Sequence, residues 1–281
     1  MRTLNFRTLA VACLASGLLL TTGCNRDSDA APDDITTAED RSEDNIETAL
    51  SSDAAQSAAP VDPTVQGSAF ATTDTEFRAK FGPCVQRSFD LNTRTLTIDF
   101  GTTNCLCSDG RYRRGQIVVR FTTDVTRRVA GAVVTRQNYF VNDNQHTATR
   151  TFTDLGQGSF SVDVTGASII QANNGGTHSW TANWLFTRTA GFGTPTFSDD
   201  VYSVTGSSAG KNHKGVDYTT TITTPLIKRG DCFKYFVQGM VNIANANGKT
   251  LVLNYDPTGT HDCDKIASVS INGRTRTITL R

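Results

Sequence analysis

The sequence predicts an all-β fold, an antiparallel meander closing as a sandwich, a barrel or a curved sheet, preceded by a disordered tether. Three observations predict it. Apolar and polar residues alternate with period two through most of residues 77–281, the pattern of strands with one face in a core and the other in water. Turn signals separate the alternating rows. No window carries a sustained helical period that would place helices between the strands.

Residues 1–24 are not part of that fold. Arg2 and Arg7 form a basic start, and Leu9 to Leu20 is an apolar run too short to cross a bilayer as a mature helix. The run ends Leu20-Thr21-Thr22-Gly23-Cys24, which resembles the lipobox of bacterial lipoproteins. Thr21 stands where the usual box has Leu; the alternative is an ordinary secretory signal cleaved nearby. The resemblance implies lipidation of Cys24, which becomes the new N-terminus. At about 0.8 kcal/mol per buried CH₂, two or more acyl chains hold a protein firmly on a membrane.

The net charge of zero hides an asymmetry. Residues 25–63 carry eleven Asp/Glu against Arg26 and Arg41, whereas residues 64–281 carry sixteen acids against twenty-three Lys/Arg. Residues 25–67 are rich in Asp, Ser, Ala, Thr and Pro, a composition that buries too little apolar surface to offset the entropy of ordering. This segment reads as an acidic tether with a root-mean-square reach of roughly 35–40 Å. One short helix is expected at 38–50, with Thr37 as N-cap, Glu39 and Asp40 in the first turn, and Ile46, Ala49 and Leu50 as a thin apolar stripe. Such a stripe needs a partner surface.

Residues 68–281 form the β-domain. Its apolar rows are Leu96, Ile98, Phe100; Ile117, Val119, Phe121; Phe160, Val162, Val164; Trp180, Ala182, Trp184, Phe186; Phe233, Tyr235, Val237, Val241; and Leu251, Leu253, Tyr255. Thr is abundant between them, which suits a half-buried pleated surface. Asn174-Gly175, Asn247-Gly248 and Asn272-Gly273 are hairpin dipeptides, because a type I′ turn needs positive φ at both central residues. Lys211 to Gly215 is a further turn.

Five cysteines follow Cys24, and an exported chain meets conditions in which disulfides persist. If Asn247 and Gly248 centre a two-residue hairpin, cross-strand partners have numbers summing to 495, and Cys232 and Cys263 satisfy this. A bulge at Pro257 or Gly259 would shift that register. Cys84 is expected to pair with Cys105 or Cys107 across a hairpin turning near Asn92, leaving one buried thiol.

No catalytic motif is present: there is no G-x-S-x-G, H-E-x-x-H or P-loop, and no zinc spacing. No cofactor or metal is expected, and His146, His178, His213 and His261 read as turn residues. The segment Asp99 to Gly115 holds Arg111, Arg113 and Arg114 after a Gly/Asn/Asp-rich loop. The three guanidinium groups either fork onto an anion or pair internally, with Asp99 meeting one of them across a hairpin. Tyr139, Phe140, Trp180, Trp184, Tyr202 and Tyr218 either grip a sugar or fill the core, and core is preferred. Asp199-Asp200 alone supplies too few ligands for calcium.

Several phrases resemble lipoproteins of Bacteroidota-type bacteria that have no assigned activity. They are Leu96-Thr97-Ile98-Asp99-Phe100-Gly101-Thr102-Thr103-Asn104-Cys105, Asp109-Gly110-Arg111, Tyr139-Phe140-Val141-Asn142, Asp199-Asp200-Val201-Tyr202 and the closing Asn272-Gly273 hairpin with Thr277-Ile278-Thr279-Leu280-Arg281. The resemblance implies an envelope location and carries over no catalytic residue.

The expected product is an envelope lipoprotein, placed in the outer membrane on its periplasmic or surface face, anchored at Cys24. Its β-domain is expected to bind or scaffold without catalysis. An anionic glycan or another envelope protein is the candidate partner, and nucleic acid is not. One alternative is a hydrolase acting on polysaccharide or peptide with two of Asp90, Asp99, Asp163 and Asp217 in one groove. The other is a carrier of an apolar ligand on a face exposing Trp180, Trp184 and Phe186.

Overall fold

The computed structural model describes residues 32–58, 77, 81–122, 131–194, 198–232 and 234–280; the signal segment and Cys24 lie outside them. Among the described residues the long helix α1 (Pro32–Ala58) precedes fourteen strands. These are β1 (Gln86–Asp90), β2 (Thr95–Asp99), β3 (Cys105–Leu106), β4 (Tyr112–Phe121), β5 (Ala132–Val141), β6 (Asn144–Gly156) and β7 (Ser159–Ile170). Next come β8 (Thr177–Ala190), β9 (Val201–Lys211), β10 (Asp217–Arg229), β11 (Gln238–Asn245), β12 (Thr250–Asn254), β13 (Ile266–Ile271) and β14 (Arg274–Thr279). All belong to one antiparallel sheet in which each strand pairs with the next in sequence, except that β2 pairs with β4 and the short β3 caps the end of β4. The first and last strands share no ladder among the described residues, so the sheet is an open meander rather than a closed barrel.

The predicted alternation maps onto the two faces. On β8, His178, Trp180, Ala182, Trp184 and Phe186 point inward, while Thr181, Asn183 and Thr187 point to solvent. The inner rows of β2, β4, β7 and β12 are buried as read, from Leu96 and Ile98 to Leu251 and Leu253. The sheet curls, because one helix on its inner face meets side chains from β5, β6, β8 and β10 and the residue after β12. A helix is only about 10–12 Å across, whereas a flat sheet would spread those strands over roughly 34 Å at about 4.8 Å per step. Ladder irregularities at Arg114/Gln116, Val164/Ala167 and Arg188/Ala190 supply part of the bend. At the first, Gly115 has φ 85° and a Cβ there would fall 2.0 Å from the Asn138 carbonyl oxygen, so only glycine fits.

The turns divide into those the dipeptides identify and those they do not. Asn272 and Gly273, at φ 50° and 78°, form the two-residue turn between β13 and β14. Asn247-Gly248 lies in a longer loop, since Ala244 pairs with Thr250 and Gly248 N–H bonds the Asn245 carbonyl. Asn174-Gly175 ends a 3₁₀ turn in a six-residue loop between Ile170 and Thr177, with Asn173 and Asn174 in the left-handed region. The row Phe233 to Val241 is not one strand: β11 begins at Gln238, and Phe236 and Val237 are buried within the preceding loop.

Both predicted disulfides are present, Cys84–Cys105 and Cys232–Cys263, and Cys107 is a buried free thiol. The second pair forms for a different reason than hairpin register. The β11–β12 ladder runs only from Ala244/Thr250 to Met240/Asn254, one residue out of the expected phase. Cys232 and Cys263 sit beyond it, in the loops before β11 and after β12, and the bond staples those loops together.

The expected short helix at 38–50 is instead α1, 27 residues long. It starts at Pro32, a residue whose fixed φ and missing N–H suit a first helical turn. From Ile35 to Asp53 nearly every side chain is buried, so much of the acidic tether of 25–67 is packed inside the sheet.

Removing the 232–263 bond (Cys232→Ala with Cys263→Ala) is expected to cost about 2–4 kcal/mol in urea unfolding, from the loop it closes. Cys107→Ala should change stability by no more than about 1 kcal/mol. Burial pushes the Cys107 thiol above its usual range, so in the native protein it should stay unreactive toward a thiol reagent until denaturant is added.

Candidate functional site: a charged groove on the concave face

The concave face is not a purely apolar core. Its strands carry Arg136 (β5), His146 and Arg150 (β6), His178 (β8), Tyr218 and Lys228 (β10), all with buried side chains. Into this groove α1 sends one polar stripe, Thr37, Asp40, Asp44, Glu47 and Ser51, spaced three and four apart along one side of the helix.

Glu47 is the first hub. It takes an ion pair from Arg136, faces His146 Nδ1 at 3.5 Å and lies 3.8 Å from Arg111. Burial alone would raise its pKa, but Arg136 and His146 hold it well below the usual carboxylate range. Asp44 is the second. It accepts from Tyr218 Oη at 2.9 Å, faces His178 Nδ1 at 3.2 Å and pairs with Arg41 one turn earlier at 3.3 Å. Burial disfavours the His178 imidazolium, yet the adjacent Asp44 carboxylate raises its pKa on balance. His146 shifts the other way, because burial outweighs Glu47.

The two ends of α1 are tied as well. At the N-terminal end, Asp40 accepts from the His213 backbone N–H at 2.8 Å and meets its ring nitrogen at 2.8 Å, while Asn212 donates to Thr37 Oγ1 at 3.0 Å. Toward the C-terminal end, Lys228 reaches Asp53 at 2.9 Å. Between them, Asn45 donates to Tyr255 Oη at 2.6 Å, and Arg41 stacks over Trp184 at 5.1 Å.

The sequence-predicted site residues are dispersed. Arg113 is buried in a bidentate pair with Asp109, at 2.7 and 2.6 Å, and bonds Tyr139 Oη. Arg111 lies between Asp109 and Glu47. Arg114 is the least covered of the three, with 24% of its side chain exposed, and it pairs with Asp143 while lying 3.9 Å over the Phe140 ring. The three arginines therefore do not form a fork to solvent. Asp99 meets none of them; it accepts from Gly101 N–H and Gln116 Nε2.

The candidate carboxylates also stay apart. Asp90 caps its own turn through Asn92 and Thr93, Asp163 accepts from Asn183 and Asp217 pairs with Lys211. Asp163 and Asp217 are three strands apart, roughly 14 Å of sheet, and no two of the four are cross-strand partners. Tyr139, Trp180, Trp184, Tyr202 and Tyr218 are core residues, and Phe140 is half-buried under Arg114. Trp184 lies under Arg41 of α1, and Trp180 and Phe186 are buried in the same inner row. Among the described residues no cluster of three or more metal-binding side chains occurs, and no helix is long and apolar enough to cross a membrane.

Sequence reasoning missed the groove. His146 and His178 are strand residues facing inward, not turn residues; His213 and His261 do lie between strands. The available signal was phase: His146, Ala148, Arg150 and Phe152 share one period-two row, as do His178, Trp180, Ala182 and Trp184.

Glu47→Gln should destabilise the fold by about 3–5 kcal/mol, since it strands Arg136 and His146 without a counter-charge. The pH profile follows from the shifts. Glu47 is lowered, so its contribution is present above about pH 4.5 and lost as pH falls through its folded value. His146 is lowered, so its contribution is complete above about pH 6.5 and declines below it. His178 is raised, so its contribution is complete below about pH 6.5 and lost as pH rises through its folded value. Urea midpoints across pH should thus fall on both sides of neutrality, and His178→Gln should flatten the alkaline arm alone. No family model matches the chain, and no curated protein or solved structure matches it at a significant level.

Proposed function

We propose that this chain is an envelope lipoprotein, anchored at Cys24, whose β-domain is a non-enzymatic binding and scaffolding module, and that its binding surface is the concave groove. The observation that carries this reading is the match between the groove and α1. Arg136, His146, His178, His213 and Lys228 are spaced along the groove so that each meets an acid of a single helix. A surface so arranged selects an acidic helical segment. The partner is then an acidic helix of another envelope protein, which competes with α1 for the same side chains. Eighteen residues, 59–76, connect Ala58 to Phe77, ample chain for α1 to leave without pulling on β1. The arginine loop is the weaker candidate for an anionic glycan, because two of its three guanidinium groups are already committed to carboxylates inside the protein.

Two measurements test the reading. Metabolic labelling with a fatty acid should mark the wild-type chain and be lost in Cys24→Ser; labelling of both or neither removes the anchor. A fluorescent peptide of residues 32–58 should exchange into the intact domain, and its uptake should fall at least tenfold when Asp40, Asp44, Glu47 and Asp53 become amides. Absence of exchange over days would leave α1 as permanent core and the domain as scaffold only.

A further inference from the structure

The sheet side of the groove holds buried donors with no hydrogen-bond partner, and α1 does not reach them although it has acceptors to spare at Asp44 Oδ1 and Asn45 Oδ1. Arg150, on β6, has its side chain fully buried, and its Nε, Nη1 and Nη2 all lack a hydrogen-bond partner. Arg136 commits Nη2 to Glu47 and leaves Nε and Nη1 unmatched. The indole nitrogens of Trp180 and Trp184 are buried and unmatched as well. On the sheet side, every one of these unmatched atoms is a donor. Buried charge is unbalanced in the same sense. Around Arg150 the helix and sheet bury Arg41 and Arg136 as further cations, against the carboxylates of Asp44 and Glu47.

These groups converge. Arg150 pairs across the ladders with Val134 and Val164, and Val164 pairs with Ala182, the residue between Trp180 and Trp184. Ala148, two residues earlier on the same face of β6, and Ala182, two ladders away on β8, place small side chains on this part of the inner face. A buried guanidinium without a counter-charge is among the costliest arrangements a core can contain. Its planar fork matches the paired oxygens of a carboxylate or the edge of a phosphate. Burial, and then the like charge of Arg136, push Arg150 well below its usual pKa against the weaker opposing pull of Glu47 and Asp44, neither of which bonds it.

We propose that the interior of the sheet at Arg150, bordered by Arg136, Trp180 and Trp184, is a binding site for an oxyanion, the carboxylate, phosphate or sulfate group of a small ligand or the free ion, held with α1 in place. The site lies in the same groove as the helix but does not require α1 to exchange, so failure of peptide exchange leaves it standing.

The test uses the mature chain, from Cys24 on, in thermal melts at constant ionic strength with phosphate, sulfate, acetate and benzoate, chloride being the balancing ion. The expected result is a saturable rise in midpoint, about 5–10 °C at a hundredfold excess over Kd, with Arg150→Met insensitive to every anion. A larger response to benzoate than to acetate identifies a ligand with an apolar body; equal responses to phosphate and sulfate identify the free ion. Crystals soaked in bromide should show an anomalous peak beside the Arg150 guanidinium, which serves if Arg150→Met does not fold. The proposal is overturned if wild type responds to none of the anions while Arg150→Met melts higher, or if the response survives in Arg150→Met.

Discussion

The rest of the structure depends on one electrostatic constraint: the inner face of the sheet carries cations and imidazoles that can be buried only against carboxylates. A meander of this length has an inner surface that must be covered, and ordinary folds cover it with a second apolar layer. Here the cover is α1, and it brings Asp40, Asp44, Glu47 and Asp53 to His213, His178, Arg136 and Lys228. Apolar contacts accompany these pairs, since Ile35, Ala38, Ile46, Ala49 and Leu50 are buried in the same packing. Apolar burial supplies most of the driving force. The ion pairs contribute little net stability for their desolvation cost, but they set the helix's register, because a one-turn slide would strand every buried charge at once.

That division explains what could be read from the sequence. The strands were legible because half-buried strands advertise themselves by period two, and the inward rows from Leu96 to Leu253 follow it. The Cys232–Cys263 bond was reached through a hairpin register that is out by one residue, and holds because the loops beyond the ladder bring the sulfurs together. α1 was legible only as a fragment. A stripe of Asp and Glu at helical spacing is ordinarily a solvated face, so the composition of 25–67 pointed to a tether. The counter-charges that make the stripe a buried face lie about a hundred or more residues away, at Arg136, His178 and Lys228. Nothing in the sequence singles out Arg136 or Arg150 either, since no local rule marks an inward arginine.

The arginine loop illustrates a second limit. Arg111, Arg113 and Arg114 are consecutive or nearly so, yet strand alternation sends Arg113 inward to Asp109 and leaves Arg114 outside with Asp143. Clusters in sequence on a strand are split between two faces. A fork of guanidinium groups on one surface would instead have needed spacing by two, which is the spacing of Arg111 and Arg113. Both turn toward the interior, where Arg111 approaches Glu47 and so links the loop to α1.

Docking of α1 also changes the mechanics of the proposed anchor. A disordered tether of residues 25–67 would let the domain range over tens of ångströms. With Pro32 already inside the fold, only residues 25–31 separate Cys24 from folded structure. Fully extended, that link reaches at most about 28 Å. An acylated Cys24 would therefore hold the domain near the bilayer, with the β9–β10 turn that grips Asp40 on the membrane side. Release of α1 would free the longer tether at the same moment that it opens the groove. On the proposed anchoring, occupancy of the groove and distance from the membrane would be one variable, governed by the same buried carboxylates.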